Sequence, residues 1–212
     1  NGRYTWVARR CLLTACVRDG LEECPPESEY YAYIKVVYDY NMSFEDLFQR
    51  QVSSVDVYLF DESGVFMQRL GDQTPTGSTF SRDYVMGLPE EYKDVVQFVV
   101  FAGLYEQQTR VTEMKPGQST INDLQVSLSL TRAAGINTVD YSLEPLWYGS
   151  RAFTQARAAT GIERNDTTVI PLVKNTNTIR IALQSLDGDN DLDVNDFSYS
   201  FKANNHMYNA YN

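Results

Sequence analysis

The sequence predicts an all-β fold, and three observations carry that prediction. β-Branched and aromatic residues gather in short runs, and Tyr is the favoured aromatic, with 15 in the 212 residues against 10 Phe and 2 Trp. Tyr suits a pleated surface that is half buried and half wet. Turn-forming Gly, Pro, Asn and Asp separate the runs at near-regular spacing, the pattern of β-sandwiches. A single short helix is expected, after the first strand.

The strands follow in chain order. Tyr31 to Tyr40 is β-branched and aromatic almost throughout and reads as the first strand. Ser43-Phe44-Glu45-Asp46 then has the form of a helix N-cap, and Phe44, Leu47 and Phe48 are expected to share one face of a short crossing helix. Val55–Phe60 and Val65–Gln68 flank Asp61-Glu62-Ser63-Gly64, a hairpin in which Gly64 supplies the positive φ of a tight turn. A polar loop from Gly71 to Arg82 leads to a short strand at Tyr84–Met86. Val95–Leu104, apolar except for Gln97, is expected to be a strand buried on both faces. Met114-Lys115-Pro116-Gly117 marks a turn, and Leu124–Leu130 alternates with period two as a half-buried strand should.

After a Gly- and Ala-bearing connection and Leu146–Gly149, a further set of strands is expected at Val169–Val173, Thr178–Leu183 and Phe197–Phe201. Three or four strands do not close a sandwich. The division expected is a signal-peptide remnant (1–15), a tether (16–28), an N-terminal sandwich (29–143) and an incomplete second one (144–212).

The overall charge of −10 comes from scattered acids. Such a surface repels phosphate backbones, so nucleic acid is not an expected partner. No apolar run approaches the ~20 residues of a membrane-spanning helix. The cysteines, Cys11, Cys16 and Cys24, cluster near the N-terminus. Leu13-Thr14-Ala15-Cys16, with Arg9-Arg10 upstream, resembles a bacterial lipobox, which makes Cys16 the expected lipidation site. The short apolar stretch between Arg10 and Cys16 falls below the usual signal length. The acidic, Pro-Pro-containing residues that follow suit an extended tether.

Catalytic chemistry finds little footing. His206 is the single histidine, in a polar Asn-rich stretch, and no nucleophile elbow or phosphate-binding glycine loop is present. No catalytic residue and no cofactor is expected. Asp187, Asp189, Asp191 and Asp193 alternate as calcium ligands can. Leu192 and Ser198 stand where an EF-hand needs Gly and Glu, so a solvated turn is the simpler expectation.

Cys24-Pro25-Pro26, Val36 to Met42 and Val57 to Gly64 resemble the FimB-type fimbrillin-like anchor or minor subunits of Bacteroidales fimbriae. Thr112–Gly117, Leu146–Gly149, Leu172–Ile179 and Phe197–Asn205 are similar to later signatures of that family. The resemblance implies two transthyretin-like (Ig-like) β-sandwiches in tandem, the second incomplete here because relatives run further. It also implies export as an outer-membrane lipoprotein through a Cys such as Cys16, and a role at the base of a fimbria. Relatives carry a Cys near Ser54 that could pair with Cys24, so the resemblance implies an unpaired Cys24 here. The function expected is that of a lipid-anchored accessory subunit of a cell-surface fimbria, gripping other subunits by strand addition or edge pairing. The alternative is a surface glycan- or ligand-binding lipoprotein that uses exposed Tyr and Trp147 as stacking platforms.

Overall fold

The computed structural model describes residues 29–133, 136–139, 141–152, 162–184, 193–203 and 206–211. Its centre is a five-stranded sheet in the order β12-β10-β5-β2-β3, formed by Val173–Lys174, Trp147–Ala152, Gln97–Ala102, Ser54–Phe60 and Phe66–Gln73. Every paired neighbour in it is antiparallel. β5 is buried on both faces, as its nearly unbroken apolar run predicts.

Period-two alternation sends its side chains into two separate cores. Phe98, Val100 and Ala102, with Val55, Val57 and Leu59 of β2, join one cluster. That cluster also takes Ala32, Ile34 and Val36 of β1 (Ala32–Val37), Leu88 of β4 (Met86–Leu88) and Ile170 of β11 (Thr167–Pro171). These three strands form a covering sheet, β11-β1-β4, in which β1 pairs parallel with β11 and antiparallel with β4. Val99 and Phe101, with Tyr58 and Phe60, face a second cluster under the sheet β13-β7-β6 (Met207–Asn209, Gln125–Leu128, Thr109–Val111). A small hairpin of β8 (Thr131–Ala133) and β9 (Ile136–Thr138) lies in the connection before β10.

The Asp61–Gly64 turn forms as expected. Gly64 has φ +73°, and the Asp61 carboxylate accepts from the Ser63 and Val65 amides. The helix, α1, is shorter than expected, Phe48–Gln51, and Ser43 does not cap it. Leu47 is the N-cap, and Asp46 just before it bridges strand end and helix start: its Oδ1 accepts from the Phe48 amide and also from the Tyr38 amide. Phe44 therefore does not join Leu47 and Phe48 on one face; it turns outward at φ +53° and is 91% exposed.

The expected boundary at 143/144 does not separate two sets of paired strands. β10 pairs with β5 along its whole length, β11 with β1, and β13 with β7, so the N-terminal sandwich draws strands from residues beyond 143. Local pattern shows that a strand exists but not which neighbour it pairs with, and pairing drew these strands back. Thr178–Leu183 and Phe197–Phe201 are a further correction: neither belongs to a sheet, and Ile179, Ile181, Leu183, Phe197, Tyr199 and Phe201 are all exposed. The Tyr/Asn-rich stretch near His206 supplies β13, whose anchor is a hydrogen bond from the Tyr148 hydroxyl to the Ala210 carbonyl at 2.7 Å.

Candidate functional site

The third layer is narrower than the central sheet, three strands against five, and that mismatch creates a groove. Tyr148 of β10 reaches Ala210 just after β13, and Val111 of β6 packs on the cluster around Tyr58. On this face Arg69, Gly71 and Gln73 of β3 stay exposed beside the buried Asp56 and Tyr58 of β2. They form the floor of an open groove of about 1320 Å³, with β6 and the turn before it as a wall.

Asp56 and Arg69 lie at the floor. Asp56 is inward-facing on a central strand and 6% exposed, a costly place for a carboxylate. Arg69 compensates it from the next strand, with Nε 2.7 Å and Nη2 2.6 Å from Oδ1. Burial pushes the Asp56 carboxyl up; the hydrogen bond and charge of Arg69 pull the other way but do not outweigh it. Gly71 stands opposite Asp56, and a Cβ there would lie 2.9 Å from the same oxygen. Glycine at this register leaves the ion pair its room. Beside it, burial and the Asp56 charge raise the Tyr58 phenol.

The wall is fixed by a tight turn. The Gln108 and Thr109 amides and the Thr109 hydroxyl all donate to the Tyr105 carbonyl. Gln108 pins the far rim, donating to the Ser142 carbonyl at 3.1 Å and accepting from the Glu144 amide at 2.8 Å. Asp72 turns its carboxylate to its neighbours, accepting from the Tyr84 hydroxyl and the Gln73 amide.

Of the site residues expected from sequence, only Asp193 is among the described residues, and it does not line this groove. Cys16 and Asp187, Asp189 and Asp191 fall outside the described residues. Asp193 is described, and its Oδ1 accepts from the main chain and side chain of Asn195. Among the described residues no group of three or more His, Cys, Asp or Glu is placed to hold a metal ion. Trp147 is 1% exposed, against the expectation that it offers a stacking platform. Burial holds it beneath Tyr38 (ring centroids 6.0 Å apart). His206 contributes its carbonyl, which accepts from the Leu128 amide at the start of the β13 pairing. The groove was open to sequence reasoning through one signal only, the charged Asp56 inside an otherwise apolar strand.

The model of the fimbrillin-A-associated anchor proteins Mfa1 and Mfa2 matches residues 21–212. The chain belongs to that family. Members of this anchor family are structural proteins associated with fimbriae and the cell envelope. A proposed polysaccharide-binding protein from Bacteroides thetaiotaomicron is 31% identical with a TM-score of 0.63, over 79% of this chain and 55% of that one. Two proposed adhesins share the fold. One, from the same species, is 20% identical (TM-score 0.52, 69% of this chain, 46% of that one). The other, from Bacteroides ovatus, is 21% identical (TM-score 0.50, 68% and 45%). This chain spans about half the length of the solved structures it matches. No curated protein matches it. No helix among the described residues is long and apolar enough to cross a membrane.

Proposed function

We propose that this anchor-family chain is an accessory subunit of a cell-surface fimbria, held to the outer membrane by lipid on Cys16 and joined to other subunits by strand addition onto residues that its own sheets leave unpaired. The family match over residues 21–212 carries the reading. A fimbria under drag needs a durable foothold, and more than one acyl chain on a lipoprotein cysteine supplies it. The subunit-binding part rests on 178–184 and 197–203. Their apolar residues recur at every second position and stand exposed, the arrangement that strand addition would bury.

The test is made in the native host. A palmitate analogue should label the wild type and not Cys16→Ala, and fimbrial shaft should co-purify with the wild type. Ile181→Pro, which removes a ladder donor, should lose shaft while keeping label. Equal labelling of Cys16→Ala refutes the anchor, and full shaft recovery with Ile181→Pro refutes pairing along 178–184.

A further inference from the structure

We propose that the groove over Asp56 and Arg69 binds a neutral, hydroxyl-rich oligosaccharide segment. Its chemistry narrows the ligand class by elimination. Acids outnumber bases around it, Asp56, Asp72, Glu106 and Glu144 against Arg69 and Arg110, so an anionic chain would be repelled. A cation meets a floor carboxylate already held at 2.6 Å by a guanidinium. An apolar ligand would strand the amides and charges that line the walls.

Side chains of β2, β3 and β6 line the groove. Carboxylate, guanidinium and amide groups together present donors and acceptors of both kinds to vicinal hydroxyls. The partly exposed Tyr105 ring adds an amphipathic surface for a sugar face.

Size and rigidity complete the argument. At about 1320 Å³ the groove exceeds the roughly 300–1,000 Å³ of a small-molecule pocket, and it is open, so several linked rings fit better than one. The Asp56–Arg69 pair and the Gln108 bridge to residues 142 and 144 are in place before any ligand arrives, which lowers the ordering cost of binding. This reading needs neither the lipid on Cys16 nor the strand edges, so it can fail while the fimbrial reading stands.

The experiment titrates the whole 212-residue chain by calorimetry with hexasaccharides of α-1,4-glucose, β-1,4-glucose, mannose and xylose, and with hexagalacturonate as the anionic control. At least one neutral sugar should bind saturably, and hexagalacturonate should bind more weakly. Tyr105→Ala and Arg110→Ala should each weaken that sugar about tenfold, equivalent to losing a single hydrogen bond or ring contact. Both keep the fold, since Arg110 enters β6 pairing through its main chain, and an unchanged melting temperature verifies it. The proposal is overturned by no saturable binding across the neutral panel. It is overturned equally by affinity unchanged in both variants, by preference for hexagalacturonate, or by saturable binding of an extended peptide where no sugar binds.

Discussion

Asp56 shows how one buried charge can be tolerated and what its tolerance depends on. Arg69 is more than half exposed, so the pair is screened on one side and desolvated on the other. Removing Arg69 leaves a carboxylate buried without its cation. Arg69→Ala should cost about 2 kcal/mol near pH 7, below the range for fully buried pairs because of that exposure. The penalty should shrink on acidification. Asp56 already has its folded pKa raised above the ordinary 3.8, and losing Arg69 removes the influence that lowers it. The folded state then takes up a proton at higher pH than the unfolded state, so its relative stability rises as pH falls through that window. Urea titrations of wild type and Arg69→Ala between about pH 7 and pH 4 measure both effects. A penalty independent of pH would mean Asp56 is not the group responsible.

At the scale of elements, what fixes the sandwich is how closely β11 crosses β10. A Cβ on Gly149 would lie 2.6 Å from the Pro171 carbonyl oxygen and 3.0 Å from a Leu172 methyl, so glycine there is a packing requirement and not a turn requirement. Gly149→Ala should destabilise by about 1–3 kcal/mol through overpacking. Ser150→Ala, at the exposed neighbouring position, should change stability by less than about 0.5 kcal/mol. Thermal melts of the two variants give the comparison, and equal effects would show that the contact yields. The strands themselves were readable where the pattern is local: β5 from its unbroken apolar run, the β2–β3 hairpin from Asp61 to Gly64, β7 from alternation. Partners were not readable. Nothing in Val169–Val173 says that its neighbour is β1, and nothing in Met207–Asn209 marks a strand until β7 offers it an edge. The groove escaped for a related reason. It exists because two sheets differ in width, a property of assembly that no single segment carries, and Asp56 alone hinted at it.

For the whole molecule, the same pairings set what can stand alone. A fragment of residues 29–143 lacks β10, β11, β12 and β13, and so loses the strand beside β5, the strand beside β1 and the strand beside β7. It should show no cooperative melting transition, whereas a fragment of residues 29–212 should melt cooperatively with β-type circular dichroism. A cooperative transition from the shorter piece would mean the late strands decorate a sandwich that is already complete. The parallel register that places Tyr33 beside Thr167 also imposes a timetable. A chain made at about 5–20 residues per second releases β11 roughly 7 to 27 seconds after β1. Until then β1 has β4 at most on one flank, and ring closure over so long an intervening segment adds to the wait. The nascent chain thus spends much of its synthesis unable to lock, with the β1 edge that β11 will fill still open to other strands.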